Sequence, residues 1–366
     1  MSNPFTPTFG IVPHFLAGRQ QVLTDMQKAF SNWPGDPNRS SILIGPRGSG
    51  KTALLSCIGD EARKEGWIVA DTVAESGMLE DIFQRSLSVA AEHISPKEKT
   101  HLTGVSIGQL LGLTWTSENS GEGNWRSRMS ELLMQLNNRE IGLLITVDEV
   151  RADVPEMIRL ASVYQLLQRD NFRIALVMAG LPFQVNQLIS NESVSFLRRA
   201  RQHNLKSIAD SDIRFAFRKT VESAGKTISE DALEKAVAAS GGYPYMMQLV
   251  GYFIWEECEE HTNIETIHAE RGIQRAQEDL RYGVLDSTWR ELSKGDKRFL
   301  LAMLEDERYS TLADIARRIG KTSGYASTYK NRLILAGVIE EQAGSSFAIV
   351  IPSFREYVKE QRDFIR

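Results

Sequence analysis

The stretch Gly45-Pro46-Arg47-Gly48-Ser49-Gly50-Lys51-Thr52 decides how this chain reads. It fits the pattern G-x-x-x-x-G-K-[ST], which ordinary residue frequencies would produce by chance in about 1% of chains this long. Its flanks agree: the apolar run Ser41-Ile42-Leu43-Ile44 reads as a strand before it, and Ala53-Leu54-Leu55 opens a helix after it. Glycines let successive backbone N–H groups curl around phosphate without Cβ obstruction, and the following helix N-terminus adds the positive end of its dipole. Lys51 is then placed to reach the outer phosphates and Thr52 to offer a hydroxyl to Mg²⁺. The candidate binding residues for ATP are Gly45, Pro46, Arg47, Gly48, Ser49, Gly50, Lys51, Thr52 and Ala53.

A second apolar strand tests this reading, because a phosphate-bound Mg²⁺ needs an acid facing it. Leu143-Leu144-Ile145-Thr146-Val147 runs into Asp148-Glu149, about 100 residues downstream of the loop. With Thr52, Asp148 is the candidate metal residue, holding the ion through its water shell, and Glu149 would orient or deprotonate an attacking water. Two acids that merely end a strand would have to coincide with the glycine loop by accident.

Further strand-like runs lie at Trp67-Ile68-Val69-Ala70 and Ile174-Ala175-Leu176-Val177-Met178, with helical spacing between them at Leu79-Ile82-Phe83-Leu87 and Met129-Leu132-Leu133-Leu136. The fold class expected is α/β, with near-continuous apolar strands in a parallel sheet covered on both faces. From about Asp210 helical periodicity takes over through about Tyr282. The last stretch reads as three helices, around Phe299–Leu304, Leu312–Ile319 and Tyr329–Leu335, followed by two short strands flanking Gly344-Ser345-Ser346. That is the order of a winged helix. The expected division is an N-terminal segment 1–39, a P-loop core 40–209, a helical lid 210–284 and a winged-helix domain 285–366.

Composition sets the outer limits. The chain has 366 residues, 43 Lys plus Arg and 47 Asp plus Glu, a formal charge of −4, which excludes a constitutively basic nucleic-acid coat. No apolar run approaches the ~18 residues of a membrane span. The start Met1–Thr6 lacks a basic and an apolar leader region, and Cys57 and Cys258 are the only cysteines. A cytoplasmic protein with no membrane partner is expected.

The two motifs, their separation, and the helical and winged-helix segments downstream resemble the AAA+ and STAND branch of P-loop ATPases, especially the origin-recognition-complex-like initiators. The resemblance covers most of the chain. It implies ATP hydrolysis to ADP and phosphate, with Lys51 and Glu149 catalytic and Mg²⁺ as cofactor. Phe15-Leu16-Ala17-Gly18-Arg19 is similar to the box that in this family lies against the adenine, which makes Arg19 a binding candidate. The strand from Asn171 to Pro182 is similar to sensor 1, and Ser195–Arg201 to the segment where the family places an arginine finger, hence Arg198 and Arg199. Ser240-Gly241-Gly242-Tyr243-Pro244-Tyr245 resembles the Gly-x-Pro element of the STAND lid, hence Tyr243 and Pro244.

Two departures from the family pattern bear on turnover. Met178-Ala179-Gly180 offers no polar group at sensor 1, and the lid around Tyr243 has no sensor-2 arginine. Less transition-state charge is then neutralised within one subunit, so hydrolysis should be slow or activated by assembly. Arg198, Arg199 and Arg201 read either as a solvated basic face or as a finger acting in an ATP-dependent homo-oligomer.

In the winged helix, Thr311 to Gly320 reads as one helix and Gly324 to Ala336 as the next, capped by Thr322 or Ser323. The second would bury Ala326, Tyr329 and Leu333 and show Tyr325, Ser327, Thr328, Lys330 and Asn331, a recognition-helix layout. Five basic residues and no acid lie between Ile315 and Leu335: Arg317, Arg318, Lys321, Lys330 and Arg332. The candidate contacts to duplex DNA are Lys321, Tyr325, Ser327, Lys330, Asn331 and Arg332. Against this, the segment from Asp286 carries 14 basic and 12 acidic residues, only +2, and Glu340 and Glu341 sit where a wing would approach phosphate.

The function expected is a nucleotide-controlled DNA-binding switch. The alternative is a signalling or scaffold NTPase whose winged helix docks a protein partner, and a metabolic P-loop kinase ranks third because it has no role for Glu149 or the lid. Gly104-Val105-Ser106-Ile107-Gly108 fits G-x-S-x-G but lacks the strand a nucleophile elbow needs. Cys258, His261 and His268 are too few ligands for a structural zinc site.

Overall fold

The computed structural model describes residues 2–8, 10–32, 35–94, 125–342 and 345–362. The segment Gly104–Gly108, singled out above, and Gly344 of the C-terminal turn lie outside the described residues. Two compact units emerge: Arg19–Gly45 with Lys51–Leu205, and Met1–Gly18 with Pro46–Gly50 and Lys206–Arg366.

The first unit is built on five parallel strands, β1 (Ser40–Ile44), β2 (Ile68–Val73), β3 (Leu143–Asp148), β4 (Ile174–Gly180) and β5 (Arg201–Asn204), in the order β2-β3-β4-β1-β5. Every residue of β4 is buried, and so are Leu143 to Val147 of β3, as expected for strands covered on both faces. Six α-helices of this unit lie among the described residues: α1 (Gln20–Ser31), α2 (Lys51–Lys64), α3 (Met78–Ile94), α4 (Trp125–Asn137), α5 (Pro155–Arg169) and α6 (Pro182–Ser190). The helically spaced apolar positions Leu79, Ile82, Phe83 and Leu87 of α3 and Met129, Leu132, Leu133 and Leu136 of α4 are all in the core.

Strand β5 was not expected. Its sequence Arg-Gln-His-Asn carries no apolar residue, and three of the four are exposed, as befits the edge of a sheet. It pairs with β1 in parallel, Ser41 opposite Arg201 through Ile44 opposite Asn204.

The second unit carries a helical segment and a C-terminal segment. The helices are α7 (Asp210–Ser223), α8 (Glu230–Ser240), α9 (Pro244–Glu257) and α10 (Thr266–Leu280), with a two-residue parallel pairing of β6 (Thr227–Ile228) and β7 (Asn263–Ile264) between them. The N-terminal residues strap onto these helices: Phe5 packs 4.9 Å from the Phe217 ring, and Gly251, lacking a Cβ, admits it. Asn3 Nδ2 donates to Tyr252 O, and Thr6 N to Gln248 Oε1.

After α10 the chain continues through a π-helical turn, Arg281–Leu285, straight into α11 (Asp286–Glu291). The boundary expected between 284 and 285 thus falls inside a continuous helix, which no proline interrupts. Then come α12 (Lys294–Met303), β8 (Ser310–Thr311), α13 (Leu312–Ile319), α14 (Ser323–Leu335), β9 (Ile339–Gln342), β10 (Ser346–Ile349) and α15 (Phe354–Gln361). The three strands pair antiparallel in the order β8-β10-β9. Gly320 ends α13 in the left-handed region at φ 64°, and the Thr322 hydroxyl accepts from Tyr325 N to cap α14.

Candidate nucleotide-binding site

Within the first unit, β1 and β3 deliver the two motifs on either side of β4. Lys51 and Thr52 open α2, and Asp148 closes β3. The Thr52 hydroxyl donates to Asp148 Oδ2 at 2.5 Å across a sequence separation of 96 residues. A hydroxyl and a carboxylate so placed are hard oxygen donors suited to Mg²⁺. Lys51 Nζ donates to the Gly45 carbonyl at 2.9 Å.

Glu149 is exposed and adopts φ 52°, a left-handed conformation that a non-glycine residue holds only where its surroundings impose it. Two bonds impose it: Asp148 Oδ1 accepts from Glu149 N at 2.8 Å, and Val150 N donates to Ala179 O at 2.9 Å. Val150 can tuck in because Gly180 has no side chain; a Cβ there would collide with it. The Gly180 carbonyl in turn accepts from Gly45 N at 3.3 Å. The end of β4, read from sequence as a sensor position without a polar side chain, therefore contributes through its backbone. Ala179 and Gly180 tie the acid-bearing turn and the start of the glycine loop to one strand, a role that no side-chain pattern could have revealed.

In the second unit the loop residues Pro46–Gly50 meet the segment that resembles a STAND lid. Gly48 and Gly50 take φ 71° and 84°. The Tyr243 hydroxyl donates to the Arg47 carbonyl at 2.7 Å, and a Cβ at Gly48 would collide with it. A Cβ at Gly50 would lie 3.8 Å from Pro244 Cβ. Burial pushes the Tyr243 phenol up to about 12, so it stays a neutral donor across ordinary pH. Ile208 N donates to Gly242 O at 2.8 Å, and Gly18, at φ 64°, lies against Ile208 and Asp212. Arg19 is buried in the first unit at the N-cap of α1.

The remaining candidates sit elsewhere. Arg198 and Arg199 are exposed at the end of a 3-10 segment, Glu192–Arg199, with Arg198 Nε donating to Ile189 O at 3.1 Å. Arg201 begins the edge strand β5. On α14, Tyr325 and Asn331 are exposed, Ser327 and Lys330 half-buried, and Ala326 and Leu333 buried. Tyr329 is half-buried rather than buried, its ring 4.9 Å from that of Tyr325. Lys321 is exposed, with Nζ 5.7 Å from the Tyr325 ring.

The acid-free run from Ile315 to Leu335 is not acid-free in space. Arg332 pairs at 3.0 Å with the buried Asp296, Arg317 with Asp314 at 2.6 Å and Arg318 with Asp306 at 2.5 Å. All three acids come from outside the run, Asp314 just before it, Asp296 on α12 and Asp306 in the turn after α12, so the surplus positive charge is smaller than the sequence implies. Cys258 Sγ is turned to backbone carbonyls of His261 and Asn263, and no cluster of three or more His, Cys, Asp or Glu able to hold a metal ion occurs among the described residues.

A parallel sheet ordered β2-β3-β4-β1-β5, with a glycine loop after β1 and an acid pair at the end of β3, is a fold found in P-loop ATPases. The chain is similar to the Walker-type ATPase of Pyrococcus abyssi at 15% identity, over 94% of this chain and 96% of that one, with a TM-score of 0.62. It is also similar to the ORC2 protein of Aeropyrum pernix, solved as ADPNP and ADP complexes, at 12% identity, over 98% and 96% of the two chains, with a TM-score of 0.52. A family model described as a domain of unknown function, DUF8462, matches residues 282–358. No curated protein sequence matches the chain. No helix among the described residues is long and apolar enough to cross a membrane.

Proposed function

We propose that this chain is an ATP-binding AAA+/STAND-like ATPase, acting in the cytoplasm, whose nucleotide state controls duplex-DNA binding by a winged helix spanning 285–366. The observation that carries the nucleotide reading is the Thr52–Asp148 hydrogen bond between the two motif-bearing elements. In this reading 40–209 is the catalytic core, 210–284 the lid and 1–39 the adenine-side segment.

The loop amides and Lys51 bind the phosphates, and Thr52 and Asp148 hold Mg²⁺, the latter through water. Mg²⁺, when bound, supplies neutralisation of charge on the outer phosphates. Glu149 orients the attacking water and accepts its proton as the oxygen bonds to the γ-phosphorus and ADP leaves. Arg19, Tyr243 and Pro244 serve the base and loop side of the site. Since β4 ends without a polar side chain, a monomer turns over slowly, and Arg198 or Arg199 of a second copy supplies the charge that is lacking.

For DNA, Lys321 and Lys330 lie on or beside α14 with no acid paired to either among the described residues, and Tyr325, Ser327 and Asn331 face the groove. Fluorescence anisotropy of labelled duplexes across salt tests this. Binding should weaken with a slope of at most about −0.9 per phosphate neutralised, and ATP should alter the affinity. No binding at low salt, with or without ATP, rejects the DNA reading. A protein-docking winged helix is the second reading, favoured by the ion pairs of Arg317, Arg318 and Arg332 and by Glu340 and Glu341 on β9.

A further inference from the structure

Arg47 occupies a position that the glycine-loop pattern leaves free, yet other parts of the second unit approach it at two points. Its carbonyl accepts from the Tyr243 hydroxyl at 2.7 Å. Its side chain, exposed, passes close to Gly337, the left-handed residue (φ 68°) in the turn between α14 and β9; a Cβ added there would be in van der Waals contact, 3.5 Å from Arg47 Cγ and 3.6 Å from Cδ. The part of Arg47 nearest Gly337 is therefore its aliphatic stem. These two attachments belong with the grouping of Pro46–Gly50 with Lys206–Arg366 rather than with the strand and helix that flank the loop in sequence.

We propose that Arg47 is the coupling residue through which nucleotide at the glycine loop is reported to the α14–β9 turn, and so to the C-terminal segment. The inference rests on the nucleotide reading above and adds to it the route of regulation. Loop amides that turn toward phosphate must carry the Arg47 peptide with them, because residues 46–50 are one short turn, closed by Ser49 N donating to Pro46 O at 3.3 Å. Any such movement works against the Tyr243 bond on one side and shifts the arginine stem that passes beside Gly337 on the other. Linkage makes the effect reciprocal, so a ligand that moves the α14–β9 turn changes nucleotide affinity by the same factor.

The turn carries its own reporter. The amides of Ala336, Gly337 and Val338 donate to Arg332 O, Ile334 O and Leu333 O, each at 2.9 Å, so their hydrogen exchange reads local opening. The experiment is hydrogen exchange by mass spectrometry on the full chain, with and without ATP and Mg²⁺, following peptides that cover 45–52 and 334–340. In the wild type, nucleotide protects 45–52 and changes exchange at 334–340 by about fivefold or more. Arg47→Ala removes the stem and should abolish the response at 334–340. Arg47→Gln keeps Cγ and Cδ without the charge and should retain it.

Protection of 45–52 in the wild type with no change at 334–340 overturns the coupling alone. So does a Gln variant that behaves like the Ala variant, since the charge would then be the operative group. Absence of protection at 45–52 in the wild type overturns the nucleotide reading and the coupling with it.

Discussion

Replacing Gly180 by alanine drives a methyl group into Val150, and the nearest escape is movement of the turn that holds Glu149 at positive φ. Overpacking of this kind costs about 1–3 kcal/mol. We therefore expect Gly180→Ala to lower the melting temperature by several degrees and ATP turnover more than ATP affinity, measured by thermal unfolding and by phosphate release. Equal loss of affinity and turnover would mean that the turn positions the ligand rather than the attacking water. Glu149→Gln, which keeps the backbone and removes the proton acceptor, should trap ATP unhydrolysed, read by the identity of the nucleotide retained after rapid desalting. These two residues differ in how legible they were. Glu149 announces itself as an acid after an apolar strand, whereas Gly180 and Ala179 act through carbonyl groups and an absent side chain, which leave no mark on a residue pattern.

Among the elements, the buried strands were legible because each is an unbroken apolar run, and α13 and α14 because Gly320 and Thr322 punctuate them. β5 was illegible because an edge strand need not be apolar, and β6, β7 and β8 because two residues make no pattern. The ion pairs that restrain α13 and α14 were hidden for a different reason: Arg318 and Asp306, or Arg332 and Asp296, are brought together by folding rather than by spacing along one helix. Hydrogen bonds from Arg318 hold the Asp306 carboxyl down at about 2, against an ordinary 3.8. The folded pKa is the lower one, so the pair stabilises the fold above the unfolded pKa, and this is lost as pH falls from about 4 to about 2. Asp306→Asn should lower the melting temperature at pH 7 and flatten its fall across that window, while a variant with unchanged acid sensitivity would assign the sensitivity to other carboxylates. On α14, Lys330→Ala should weaken all duplexes alike and lower the salt slope by about one, and Asn331→Ala should mainly alter preference among sequences.

For the whole molecule, the account predicts that turnover per chain rises with protein concentration and that ATP increases the particle mass in solution. Arg198→Ala and Arg199→Ala should lower that turnover without weakening ATP binding; fast turnover independent of concentration would remove the trans arginine and leave both residues on a solvated face. All of this depends on ATP and Mg²⁺ binding at the loop Gly45–Thr52. Calorimetric titration of ATP–Mg²⁺ into the wild type and into Lys51→Ala tests it most directly. A hydrogen bond between charged groups is worth about 2–3 kcal/mol, so the variant should bind about 30-fold more weakly or worse, and equal affinity for both proteins would contradict the assignment.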